Sequence, residues 1–168
     1  MKTELDKFYG LIEEIKIAMM TTRRPDGHLE SRAMANQKRA PGADLWFVTS
    51  DETHKVDELE DEPNVNLAYY KDRTREWISV SGVATLSRDK EVIRQLHAPD
   101  WKAWFATGGD PRAGTPDDPR LVLIGVDVVS ATYFEVDKPQ PVVLYELVKA
   151  WVKGDPPDVG EVHRVGRG

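Results

Sequence analysis

The chain has 168 residues, 40% hydrophobic and 31% charged, with a net charge of −6. That balance describes a soluble single domain long enough to bury a real core and argues against a broad nucleic-acid surface. With no cysteine, disulfide frameworks, thiolate nucleophiles and thiolate metal sites are excluded, and a reducing cytoplasm is the expected location. The charged start, Met1 to Lys7, does not read as a signal peptide, and no apolar run approaches a membrane span.

Leu5, Phe8, Leu11 or Ile12, and Ile15 recur at helical spacing and predict an amphipathic helix over residues 3–15. Ile17 to Thr22 reads as a strand, Arg24-Pro25-Asp26-Gly27 as a turn, and His28 to Asn36 as the returning strand of a hairpin. In that strand Arg32 and Met34 share one face, and Ser31, Ala33 and Ala35 the other. Leu45 to Val48 suits a strand buried on both faces, ended by the hydroxyls of Thr49 and Ser50.

Thr53 is placed to cap the next helix, which buries Val56 and Leu59 and stops at Pro63. Glu58 to Glu62 reads as its solvated acidic face. Strands follow over residues 64–71 and 77–87, and Gly82 inside the second predicts a bulge or a close backbone approach. Short helices are expected over 89–97 and 100–105, then a Gly- and Pro-rich loop to Pro119, then a long strand over 121–136. Leu144, Leu147, Val148 and Trp151 form a helical stripe expected to pack. Residues 1–153 thus form one domain, and residues 154–168 read as a tail.

Six or seven strands on short turns favour antiparallel pairing, and a small, partly closed barrel with peripheral helices fits best. Within it, the helix start after Ser50 stands out. It offers unpaired amides, the positive end of the helix dipole, two hydroxyls, His54 and Lys55, which together suit a phosphate. An ordinary capped helix is the competing reading. The four histidines are too scattered for a metal motif, and Ser79 and Ser81 lack a nucleophile-elbow context.

Several pieces, in shared order, resemble the FMN-binding split-barrel superfamily, and within it the general stress proteins related to pyridoxamine phosphate oxidase. They include Met20-Thr21-Thr22, Ser31-Arg32-Ala33-Met34, Leu45 to Thr49, His54-Lys55-Val56 with Glu58-Leu59, and Pro63 to Tyr69. Ser79 to Ala84, Lys102 to Phe105 before Gly108 and Gly109, and Gly160-Glu161 continue the match.

The resemblance implies a mainly β fold with flanking helices, an antiparallel six-stranded split β-barrel. It implies a homodimer with FMN at the subunit interface, FAD or another flavin being the alternative cofactor. Arg32 and Lys55 would bind the phosphate with Thr49 and Ser50, and His54 stands beside them. Ala33 and Met34 would lie along the flavin ring with Phe47 nearby, and Ser81 of the other subunit and the Trp104 region would close the site. From the residues alone, Trp101 and Trp104, at i and i+3, suit core or interface more readily than a cofactor wall.

The family often has proline at Ala33 and tryptophan at His97 and Phe134. The arginine-containing C-terminal substrate motif of true pyridoxamine phosphate oxidases has no match in the tail. The expected activity is therefore that of an FMN-dependent oxidoreductase on a small-molecule redox substrate not yet identified, with catalysis assigned to the flavin. A non-enzymatic flavin carrier or stress sensor is the alternative. No nucleic-acid or membrane partner is expected.

Overall fold

The computed structural model describes residues 3–106, 109–154 and 156–166. Helix α1 (Glu4–Ile15) starts with a capping box. The Thr3 hydroxyl accepts the Asp6 amide at 3.1 Å, and the Asp6 carboxylate accepts the Thr3 amide at 2.9 Å. Its apolar side buries Phe8, Leu11 and Ile12 against the sheet interior. Strands β1 (Ile17–Arg23) and β2 (Leu29–Ala35) form the expected hairpin, followed by β3 (Leu45–Ser50) and α2 (His54–Asp61). After β4 (Asn64–Lys71) and β5 (Glu76–Ser87) come the short helices α3 (Lys90–Leu96) and α4 (Trp101–Trp104). The chain ends with β6 (Leu121–Glu135), α5 (Gln140–Lys153) and β7 (Glu161–Gly166).

Every pairing is antiparallel, in the order β2-β1-β4-β5-β6-β3, with β7 added to β6. This is an antiparallel split β-barrel with flanking helices. The sheet curls round a core that includes Met20, Phe47, Leu67, Ile78, Val80 and Ile124, but β2 and β3 at its two ends do not pair with each other. A smaller cluster of Trp46, Ile93, Leu96, Trp101, Phe105, Leu121 and Leu123 seats α3 and α4 against β3 and β6.

The β5–β6 register breaks between Ser81 and Gly82, whose partners are Ser130 and Val128. A Cβ at Gly82 would lie 2.5 Å from Val126 Cγ1 and 2.9 Å from the Asp127 carbonyl oxygen, so the expected bulge and the close backbone approach are both present. The Val128 amide of the bulged segment donates to Asp44 at 2.8 Å.

Two expectations change. Residues 154–168 are not simply a tail, because Glu161–Gly166 pairs with Ser130–Glu135 as a seventh strand. Low apolar content hid it, since an edge strand half exposed to water needs little apolar surface. Its entry at Gly160 is required by contact, as a Cβ there would strike the Glu135 carbonyl. Helix α5 forms where its stripe predicts, but the stripe is not packed within this chain, and Trp151 is 87% exposed. Periodicity identifies a face that suits burial without saying which surface buries it. Among the described residues no helix is long and apolar enough to cross a membrane.

Gly82→Val is expected to destabilise the fold by about 1–3 kcal/mol, the usual cost of overpacking, because the Asp127 backbone cannot retreat without breaking the β6 register. Urea unfolding followed by circular dichroism measures this.

Candidate flavin-phosphate site

The open seam of the barrel carries a cavity of about 530 Å³, within the usual range for small-molecule sites. One wall is Ala33, Met34 and Ala35 of β2, and another is Val48, Thr49 and Ser50 of β3 with Thr53 and Lys55 at the start of α2. Trp101, Trp104 and Phe105 form an aromatic side, and Arg120 stands before β6. Since β2 pairs only with β1 and β3 only with β6, each strand has one edge without a strand partner at the seam, although the Trp46 carbonyl there accepts the Gln37 amide at 2.8 Å.

Lys55 Nζ donates to the Thr49 hydroxyl at 2.9 Å. Thr53 occupies the cap position, but its hydroxyl donates to the Ser50 carbonyl at 2.8 Å and makes no bond to the helix amides. The expected Thr53 side-chain cap is therefore absent, because the turn carbonyl is the nearer partner. The first-turn amides of α2 are left without a side-chain acceptor. Burial lowers the Lys55 ammonium below its ordinary pKa, and the positive charge of Arg32 lowers it further, against the opposing pull of Glu58 and Glu30. A half-buried cation made costly by another cation is a ready partner for an anion.

Arg32 lies beside this cavity rather than on its lining. One guanidinium nitrogen donates to the Thr22 hydroxyl and, at 3.2 Å, to the Glu30 carbonyl, while the other reaches Glu58 Oε2 at 3.0 Å. Glu58 is only 4% exposed and also accepts the Thr22 hydroxyl. The solvated helix face expected over Glu58 to Glu62 is thus wrong at Glu58, which points between Thr22 and Arg32 because the α2 turn that buries Leu59 buries its neighbour too.

Of the other candidate residues, Ala33, Met34, Thr49, Ser50 and Trp104 line the cavity with Lys55. Trp104 is 80% exposed at its mouth, while Trp101 is buried and donates its ring N–H to Gln37 at 2.9 Å. Phe47 is wholly buried in the barrel core and does not line the cavity. His54 is exposed at the first position of α2, and Ser81 is exposed on the outer face of β5, both off this chain's cavity. Gly108, quoted for the resemblance, lies outside the described residues. Among these residues no cluster of histidine or carboxylates could hold a metal.

Four polar wall residues escaped the sequence reading: Gln37, Glu52, Asp100 and Arg120. Arg120 is held by Asp118 through Nε at 3.0 Å and a terminal nitrogen at 2.7 Å, and that nitrogen also donates to the Phe105 carbonyl at 2.8 Å. Asp118 further accepts the Gly114 amide at 2.9 Å. These bonds tie the loop after α4 to the aromatic wall. The Arg120 guanidinium, outweighing burial, holds the Asp118 carboxyl at about 2. The only sequence signal was an Asp-Pro-Arg step before a strand, too common to single out.

With the geometry in hand, similarity becomes informative. The family model for pyridoxamine 5'-phosphate oxidase-like proteins matches residues 3–158. The chain belongs to that family. The protein bli-3 of Neurospora crassa is similar at 34% identity over 153 residues, 89% of this chain and 73% of the relative. A crystal structure from a Jannaschia species, described as a general stress protein 26, superposes with a TM-score of 0.75 at 22% identity, covering 97% of this chain and 98% of that one. The structure described as the general stress FMN/FAD binding protein of Xanthomonas citri matches with a TM-score of 0.61 at 25% identity, covering 76% of this chain and 84% of that one.

Two measurements test the electrostatics of this pyridoxamine 5'-phosphate oxidase-like site. Unfolded, Lys55 returns to a pKa of 10.5, above its folded value. Stability therefore rises with pH through the window below 10.5, where the unfolded chain holds more protons. Lys55→Met should melt higher than the parent near neutral pH, because the buried ammonium is costly there. That gain should vanish as pH passes 10.5. Asp118 has the opposite sign: its contribution is complete above 3.8 and is lost as pH falls toward about 2. Asp118→Asn should cost about 2 kcal/mol at pH 7, the scale of hydrogen bonds to a charged group, and flatten that acid limb in melting curves.

Proposed function

We propose that the chain is a homodimeric FMN-binding flavoprotein, an oxidoreductase acting on a small-molecule redox substrate in the cytoplasm. The observation that carries this reading is the convergence of Lys55, Thr49, Ser50 and the uncapped α2 start on one end of the seam cavity, facing an aromatic side. The donor set fits a phosphate monoester, and the rest of the cavity fits a flat ring.

Lys55 and Arg32 neutralise the phosphate in this reading, with the two hydroxyls and the α2 amides donating to its remaining oxygens. The phosphate relieves the repulsion that Arg32 exerts on Lys55, so each cation is better matched in the complex than in the free protein. Ala33, Met34 and Ala35 support the ring along the β2 edge, and Trp104 covers it from the mouth. The flavin, when bound, supplies electron transfer with small molecules, while the chain binds it, orients it and limits access by water. A flavin with a second phosphate group meets the same first phosphate contacts, which accords with the FMN/FAD description of the Xanthomonas neighbour.

Two exposed surfaces support a second copy of the chain. The α5 stripe ends in the exposed Trp151, and the outer sheet face sets exposed Met19 beside Ala33 and Ala68. Ser81 lies on that same outer face, opposite Asn66 of β4, and in this reading it serves the partner's cavity and not its own.

Adding FMN to purified protein should give a bound-flavin absorbance spectrum and quenched flavin fluorescence. Lys55→Ala and Arg32→Ala should each weaken FMN by about tenfold or more, the scale of charge-assisted bonds, while sedimentation still reports a folded dimer. Unchanged FMN affinity in the double variant removes the phosphate assignment. Turnover of a nicotinamide donor with an added electron acceptor separates an oxidoreductase from a carrier.

A further inference from the structure

Glu58 has no part in the binding role just described, yet it is the most costly group nearby. It sits on the inner side of α2, 4% exposed, and a carboxylate there needs compensation for its lost hydration. The compensation is specific. Arg32 donates to Oε2 at 3.0 Å, and the Thr22 hydroxyl donates to that same oxygen while accepting from the other Arg32 nitrogen. A closed triangle therefore fixes the guanidinium plane.

Lys55 is three residues before Glu58 on the same helix. Arg32 and Glu58 act on Lys55 with opposite sign, so the buried Glu58, with the more exposed Glu30 at 3.6 Å from Arg32, counterbalances two cations that repel each other. The carboxylate lines no part of the cavity, whereas Lys55 does.

We propose that Glu58 is a positioning residue for the phosphate site. Directly and through Thr22 it holds the Arg32 guanidinium beside the cavity, and its charge keeps Arg32 and Lys55 together near one anion. This rests on the phosphate reading above. The obvious rival is that Glu58 only repels the phosphate, and it predicts the opposite sign.

The test compares FMN with riboflavin, which carries the same ring without the phosphate. Fluorescence quenching gives both dissociation constants, and their ratio reports the phosphate contribution alone, which a general loss of packing would not move selectively. Glu58→Ala should lower the riboflavin-to-FMN ratio by about tenfold, and isosteric Glu58→Gln should lower it by less, as expected for loss of a charge-assisted bond. Thr22→Val should move the ratio the same way and serves where a Glu58 variant does not fold. In an Arg32→Ala background the Glu58 substitution should add nothing, the signature of one residue acting through another.

A higher ratio in Glu58→Gln, or an unchanged one, overturns the positioning role. If Arg32→Ala lowers the ratio while Glu58 and Thr22 variants leave it alone, only this proposal falls. If Arg32→Ala and Lys55→Ala both leave the ratio unchanged, or the parent binds neither flavin, the phosphate reading falls and this one with it.

Discussion

The two end strands of the curled sheet do not pair with each other, and most of the molecule's organisation follows from that. A sheet that closes completely has no free edge. Here β2 and β3 each keep one edge unpaired, and the chain places its cavity where those edges face each other. An open seam in a barrel is a liability for aggregation, and it is also a row of backbone donors and acceptors at fixed spacing.

Charge is arranged around the seam with the same economy. Lys55 is carried to the cavity by the first turn of α2, and Arg32 to a place beside it by the inner face of β2. Left alone, the two cations would repel each other. Glu58 and Thr22 bond Arg32 from behind, away from the cavity lining. At the opposite side, Asp118 ties Arg120 to the loop and so to the Phe105 carbonyl. The aromatic side is thus anchored by a second buried carboxylate.

The departures from expectation have one cause in common: each concerned the partner of a surface and not the surface itself. Glu58 belonged to an acidic run that suited water, and only the approach of β1 and β2 gave its carboxylate two donors. Residues 161–166 looked too polar to order, until the long second half of β6 offered them an edge. The α5 stripe was legible as a helix with an apolar face, but that face stays exposed on the chain's own surface.

Local chemistry was readable from the chain alone. The α1 stripe, the Arg24 to Gly27 turn, the glycine at the β5 bulge and the strand-to-helix step after Ser50 all depend on near neighbours and simple periods, and all recur in the structure. So did the grouping of Arg32 with Met34 on one face of β2, because alternation along a strand needs no knowledge of its partner. Tertiary structure alone decided that Arg32 meets Glu58, that Arg120 and Gln37 join the cavity wall, that Phe47 belongs to the core, and that β2 and β3 do not pair. Those facts link residues distant along the chain, and such contacts are set by how the whole sheet curls, a property that no short window of sequence carries.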